Sequence, residues 1–144
     1  TSRKLGTIGG GTTTDAVIGS GLNASNNTIT NTETWNGSSW TEVSEMNTGR
    51  WGGSSSQNGV STSIIAAGGN NPPNDSLTNT EHWNGTAWTE TNDLSQKRYY
   101  SQGAGTGDLA LAMGGETGPG GIPAILVSTE EWTFTHAIKT VTTS

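Results

Sequence analysis

The chain has 144 residues, with six Lys plus Arg against twelve Asp plus Glu, a formal charge of −6 and no cysteine. The length suits one domain, and the scattered cations exclude a basic surface for nucleic acid or an anionic membrane. Without cysteine there is no disulfide, thiolate metal site or cysteine nucleophile, and no apolar run approaches the ~18 residues of a membrane-spanning helix.

Thr, Ser, Asn and Gly make up 76 of the residues. Thr favours strands, the others favour turns, and no segment carries a sustained helical period, so the expected fold is all-β. Six Trp at regular spacing argue against disorder. The opening "TSRKLGTIGG" has neither an initiator Met nor the apolar core of a signal peptide, which suggests a processed chain or a piece of a larger one.

In chain order, Arg3 leads into a small-residue run, "KLGTIGGGTTTD", read as strand one. The apolar run "AVIGSG" is strand two. After a polar loop, "NTETW" is strand three and "SWTEV" is strand four, with Asn36-Gly37 between them. Asn and Gly tolerate positive φ, which a tight hairpin turn needs. The cycle restarts at Arg50 with "WGGSSSQNGVST", "SIIAAGG", "NTEHW" and "AWTET", and again at Arg98 with "YYSQGAGTGD", "LALAMGG", "STEEW" and "AIKTVTT". Arg3, Arg50 and Arg98 stand 47 and 48 residues apart. Periods of this length belong to solenoids and propellers. The chain therefore reads as a single repeat domain over 1–144, with units at 3–49, 50–97 and 98–144.

Trp35, Trp40, Trp83, Trp88 and Trp132 recur in phase and are expected to fill the gaps between neighbouring sheets. Glu33, Glu81 and Glu130 also share one repeat position. They are expected to pair within each unit, with the phased Arg as the partner, rather than to form a cation-binding ring. Arg50-Trp51 and Arg98-Tyr99-Tyr100 open strand one and combine Arg with aromatics, a common recognition surface. These five are the candidate ligand or partner residues. The alternative is that Trp51 and Tyr99 pack between units.

The pattern of Arg, small-residue strand, apolar strand ending Gly-Gly, Glu-x-aromatic strand, turn, Trp, and Met46 or Leu94 before the next Arg resembles the kelch repeat. The third unit departs by lacking the second Trp, and the first by Gly19-Ser20-Gly21 in place of the Gly pair. The Trp-Asn-Gly-x-x-Trp-Thr-Glu wording is similar to kelch-like repeats in virion and tail proteins of aquatic bacteriophages. The resemblance implies a β-propeller of four-stranded blades, three to this chain. Propellers usually close with about four to eight blades. Three are half of a six-bladed ring completed by a second copy, a piece of a longer propeller, or an arc stacked on another protein. The dimeric ring is the favoured expectation.

No enzyme, cofactor or metal is expected. His82 and His136 are the only histidines, and the repeats place Thr34 and Glu131 where His82 stands, so it reads as an ordinary strand residue. No Gly-x-Ser-x-Gly elbow or His-Glu-x-x-His spacing occurs. The Gly-rich run after Arg3 lacks the helix and Lys of a phosphate loop. Kelch-type copper oxidases need a Cys-linked Tyr, so that activity does not carry over.

The expected function is a non-enzymatic structural and interaction module. The resemblance implies a virion component (tail, fibre or surface decoration) acting in assembly or host attachment, located in the virion or outside cells. Its expected partners are itself, as a homodimer or higher homo-oligomer, or neighbouring virion proteins, with a host surface glycan as a further partner. Neither nucleic acid nor membrane insertion is expected. The alternative is a carbohydrate-binding, lectin-like propeller using Trp51 or Tyr100. A catalytic propeller would instead need carboxylates clustered at the channel mouth.

Overall fold

The computed structural model describes residues 1–5, 8–57, 60–73, 75–118, 124–133 and 139–141. His136 and residues 119–123 of the last variable loop lie outside them. Among the described residues there are fourteen strands and no helix. Sheet 1 comprises β1 (Ile8–Gly11), β2 (Ala16–Gly19), β3 (Thr32–Trp35) and β4 (Trp40–Val43). Sheet 2 comprises β5 (Ser54–Ser55), β6 (Ile64–Ala67), β9 (Thr80–Trp83) and β10 (Trp88–Thr91), with a small hairpin, β7 (Asn70–Asn71) and β8 (Asp75–Ser76), in its loop. Sheet 3 comprises β11 (Gln102–Gly105), β12 (Leu109–Met113), β13 (Thr129–Thr133) and β14 (Lys139–Val141). Each sheet is antiparallel, in the order in which its strands leave the chain. The β7–β8 hairpin is an addition to the sequence reading, and Arg50 and Trp51 precede the short β5 rather than opening it.

The Asn-Gly phrase closes the β3–β4 and β9–β10 hairpins. Asn36 Oδ1 accepts from Ser38 N and Ser39 N at 3.0 Å, and Asn84 Oδ1 accepts from Thr86 N and Ala87 N at 2.9 Å. Gly37 and Gly85 have φ of 90° and 91°, the left-handed region that glycine enters without steric penalty. These turns set Trp35 opposite Trp40 and Trp83 opposite Trp88.

Paired residues share a face, which fixes how the sheets stack. Ile64, Trp83 and Trp88 lie on one face of sheet 2, and Ile65 and Ala67 on the other. The first face packs on Ile8 and Val17 of sheet 1, with Met46 from the linker wedged between. The second packs on Ala110, Ala112 and Trp132 of sheet 3, with Leu94 in the same place. Trp88 Nε1 donates to Thr32 Oγ1 across the first junction at 2.9 Å.

Close approach between sheets runs through the first strands: β5 touches both β1 and β11. A Cβ on Gly103 would lie 2.1 Å from the Ser55 carbonyl oxygen, so this contact requires glycine. Each junction is also stapled by backbone: Gly21 N donates to Arg50 O, and Gly69 N to Arg98 O, both at 2.8 Å. Ser20 stands where the other units have Gly68 and Gly114, at φ 58° against 64° and 61°. Its Oγ accepts from Arg50 N at 2.6 Å and lies 2.7 Å from Arg50 O and 2.9 Å from Ile29 O. The hydroxyl thus offsets the strain of a non-glycine residue and reinforces the staple.

Candidate functional site

The three repeated Glu side chains each meet the phased Arg. Arg50 Nη2 donates to Glu81 Oε1 at 2.5 Å, Arg98 Nη2 donates to Glu130 Oε1 at 2.6 Å, and Arg3 Nη1 donates to Glu33 Oε2. Arg50 also donates through Nη1 to Gly68 O at 2.9 Å and Asn79 O at 2.6 Å, tying strand two of its sheet to the approach of strand three. Arg50 and Arg98 are both 0% exposed. This corrects the expectation that they form part of a recognition surface. Their guanidinium groups are spent inside the fold, and Arg98→Ala is expected to act on stability rather than on binding.

Burial pulls the Arg50 guanidinium below its usual value, and Glu81 opposes this. Burial also pushes the Glu33 carboxyl up, but the Thr1 ammonium and Arg3 outweigh it, so Glu33 stands below the ordinary carboxylate value.

The remaining candidates meet at the end of the sheets that carries the strand-two to strand-three loops. Trp51 exchanges backbone hydrogen bonds with Asn70 of its own loop, and Tyr99 does the same with Glu116. Tyr100 N donates to Gly52 O at 2.6 Å, which joins the second and third units. The rings form one cluster: Trp51–Tyr99 centroids lie 6.0 Å apart, Trp51–Tyr100 5.4 Å and Tyr99–Tyr100 4.5 Å. Tyr99 is buried, its hydroxyl donating to Glu116 Oε2 at 3.1 Å. Tyr100 is 56% exposed and holds φ 53°. Trp51 is half-buried. The donors Trp51 Nε1 and Asn70 Nδ2 are buried without a hydrogen-bond partner. Asn70 was not among the sequence candidates; its place three residues after strand two and in phase with Glu116 is the signal that marks it.

The tryptophans divide. Trp83 and Trp88 are buried between sheets 1 and 2, and Trp132 between sheets 2 and 3. Trp35 and Trp40 lie instead on the outer face of sheet 1, where Trp40 is 45% exposed. The expectation that all of them fill gaps between sheets therefore fails for this pair within one chain.

His82 stacks on Trp132 at 6.0 Å and lies 3.0 Å from Ser63 Oγ, at the lip of a cleft of about 320 Å³ between sheets 2 and 3. Burial lowers its pKa from 6.5, against a smaller opposing pull from Asp108. A base with a depressed folded pKa adds stability that is present above the unfolded value and lost as pH falls through the folded one. Urea midpoints are expected to fall as pH drops below 6.5, and the fall should be shallower in His82→Gln. Parallel pH profiles for the two proteins would show that His82 does not carry it.

Among the described residues no three His, Asp or Glu side chains gather to hold a metal.

No family model matches the chain, and no curated protein matches it. Among solved structures, one described as "Structure of YjhT" is similar with a TM-score of 0.73 and 17% sequence identity. The match covers 95% of this chain and 45% of that one, so the chain spans less than half the length of that neighbour. At this identity the likeness concerns the fold alone.

Proposed function

We propose that the chain is a non-enzymatic structural and interaction module: three blades of a kelch-like β-propeller, serving in a virion as part of a tail, fibre or surface decoration. The propeller reading is supported by first strands that crowd together along successive sheets, as wedges around a central axis require. The virion reading rests on the kelch-like wording of the repeats. The observation that carries the interaction role is the rim cluster of Trp51, Tyr99 and Tyr100. It is aromatic and partly exposed, and it is held by backbone pairs from two units. Aromatic anchors on a rigid frame bind at low entropic cost.

The second reading, a glycan-binding rim, is favoured by the exposed Tyr100 ring and by the unpartnered Trp51 Nε1 and Asn70 Nδ2 donors beside it. A saccharide panel probed with the purified chain and with Tyr100→Ala separates the two. Tyr100→Ala should leave the fold intact, at a cost of about 1 kcal/mol for the lost ring contacts with Trp51 and Tyr99. Saccharide binding lost in the variant supports the glycan reading; no binding to any saccharide leaves assembly. Antibody against the chain should decorate virus particles from its source in electron micrographs. Label confined to the particle-free fraction would sink the virion assignment.

A further inference from the structure

Both junctions inside the chain are built the same way. The face of the later sheet that carries the strand-three Trp lies on the opposite face of the earlier sheet. One face of each kind is therefore left over. Sheet 1 keeps its Trp face, with Ala16, Ile18, Trp35 and Trp40 in register. Sheet 3 keeps the receiving face, with Ala104, Leu111, Met113 and Thr129 in register.

The leftover Trp face is already in its docked form. Trp35 and Trp40 lie 5.5 Å apart at 42°, while Trp83 and Trp88 lie 5.5 Å apart at 43°. Yet Trp88 is 7% exposed and Trp40 is 45% exposed. The receiving face is bare in the same sense. Leu111 occupies the strand position of Val17 and Ile65, which are 1% and 2% exposed, but is itself 37% exposed; neighbouring Leu109 is 60% exposed. Thr129 occupies the position of Thr32, the acceptor for Trp88 Nε1.

We propose that these two faces bind each other between two copies of the chain, head to tail and twice, closing a ring of six sheets. Trp35 and Trp40 of one copy cover Leu111 and Met113 of the second, and Trp40 Nε1 donates to Thr129 Oγ1 of the second copy. The inference rests on the three-blade reading and names its partner. A head-to-tail contact closes into a ring when its rotation divides the circle, and six sheets fall within the range in which propellers close.

The test is solution mass by light scattering on the wild-type chain, Trp40→Arg, Leu111→Arg and an equimolar mixture of the variants, with near-UV circular dichroism to check folding. Wild type should have about twice the 14.8 kDa chain mass. Each variant alone should be monomeric. The mixture should form a one-to-one dimer, because it retains one intact junction. A folded wild-type monomer overturns the proposal and leaves the rim reading to the Tyr100 test. Open-ended polymers overturn closure. A Leu111→Arg variant that stays dimeric means that the two Trp faces meet each other, which also overturns it. Independently of any variant, dilution of wild type through dissociation should red-shift Trp emission as Trp40 emerges. Unchanged emission counts against the proposal.

Discussion

Trp83→Ala is expected to lower the unfolding free energy by about 3–5 kcal/mol, read from urea titrations followed by far-UV circular dichroism. Trp83 is fully buried in the cluster of Ile8, Val17, Ile64 and Trp88. Its removal forfeits a large transfer term and opens a cavity between two sheets that cannot move closer, because the first strands already touch. It also leaves Ser61 O without the donor it receives from Trp83 Nε1 at 3.0 Å. Native domains hold about 5–15 kcal/mol in all, so this loss is a large share. Trp35→Ala changes the same repeat position on the outer face, where the ring is half-buried, and should cost less at equal protein concentration. A loss below about 1 kcal/mol for Trp83→Ala would remove it from the core.

Glu81→Gln is expected to cost a comparable amount, about 3–5 kcal/mol, because it leaves a buried guanidinium without its counter-charge. The carboxylate serves four donors. Oε1 accepts from Arg50 Nη2 at 2.5 Å and Thr48 N at 3.1 Å, and Oε2 from Asn47 N at 2.8 Å and Asn47 Nδ2 at 3.0 Å. One carboxylate thus fixes both the Arg that braces its own sheet and the linker arriving from the previous one. A double-mutant cycle checks the pairing: Arg50→Met should cost less on top of Glu81→Gln than in wild type. Additive losses would mean that the two groups act separately.

The strand plan was legible because its period is set by backbone demands that only certain residues meet. Asn36-Gly37 and Asn84-Gly85 are needed at the same hairpin, and the Gly pairs are needed where the next Arg staples on. The burial of Arg50 and Arg98 was less legible. A charged residue beside aromatics reads as surface, and only its strict phasing with Glu81 and Glu130 points to an internal pair. Ser20 looked like a defect in the Gly pair; its hydroxyl bonds are tertiary and leave no local trace. The different fates of Trp40 and Trp88 could not be read locally, since "SWTE" and "AWTE" are nearly the same phrase. What separates them is whether another sheet precedes them in the stack. The β7–β8 hairpin was hidden in a segment whose Asn and Pro content reads as loop.

Each four-stranded sheet draws its strands from one stretch of the chain, sheet 2 interrupted by the β7–β8 hairpin, and among the described residues none lends a strand to its neighbour. The chain is therefore modular at the level of its gene. An in-frame duplication or loss of about 48 codons, cut at any of the Arg positions, would add or remove one whole four-stranded sheet. The staple, linker wedge and Trp face would be carried along. Crossovers between repeats are a structurally cheap change for such a sequence, because they alter the number of sheets and leave the chemistry of each joint intact.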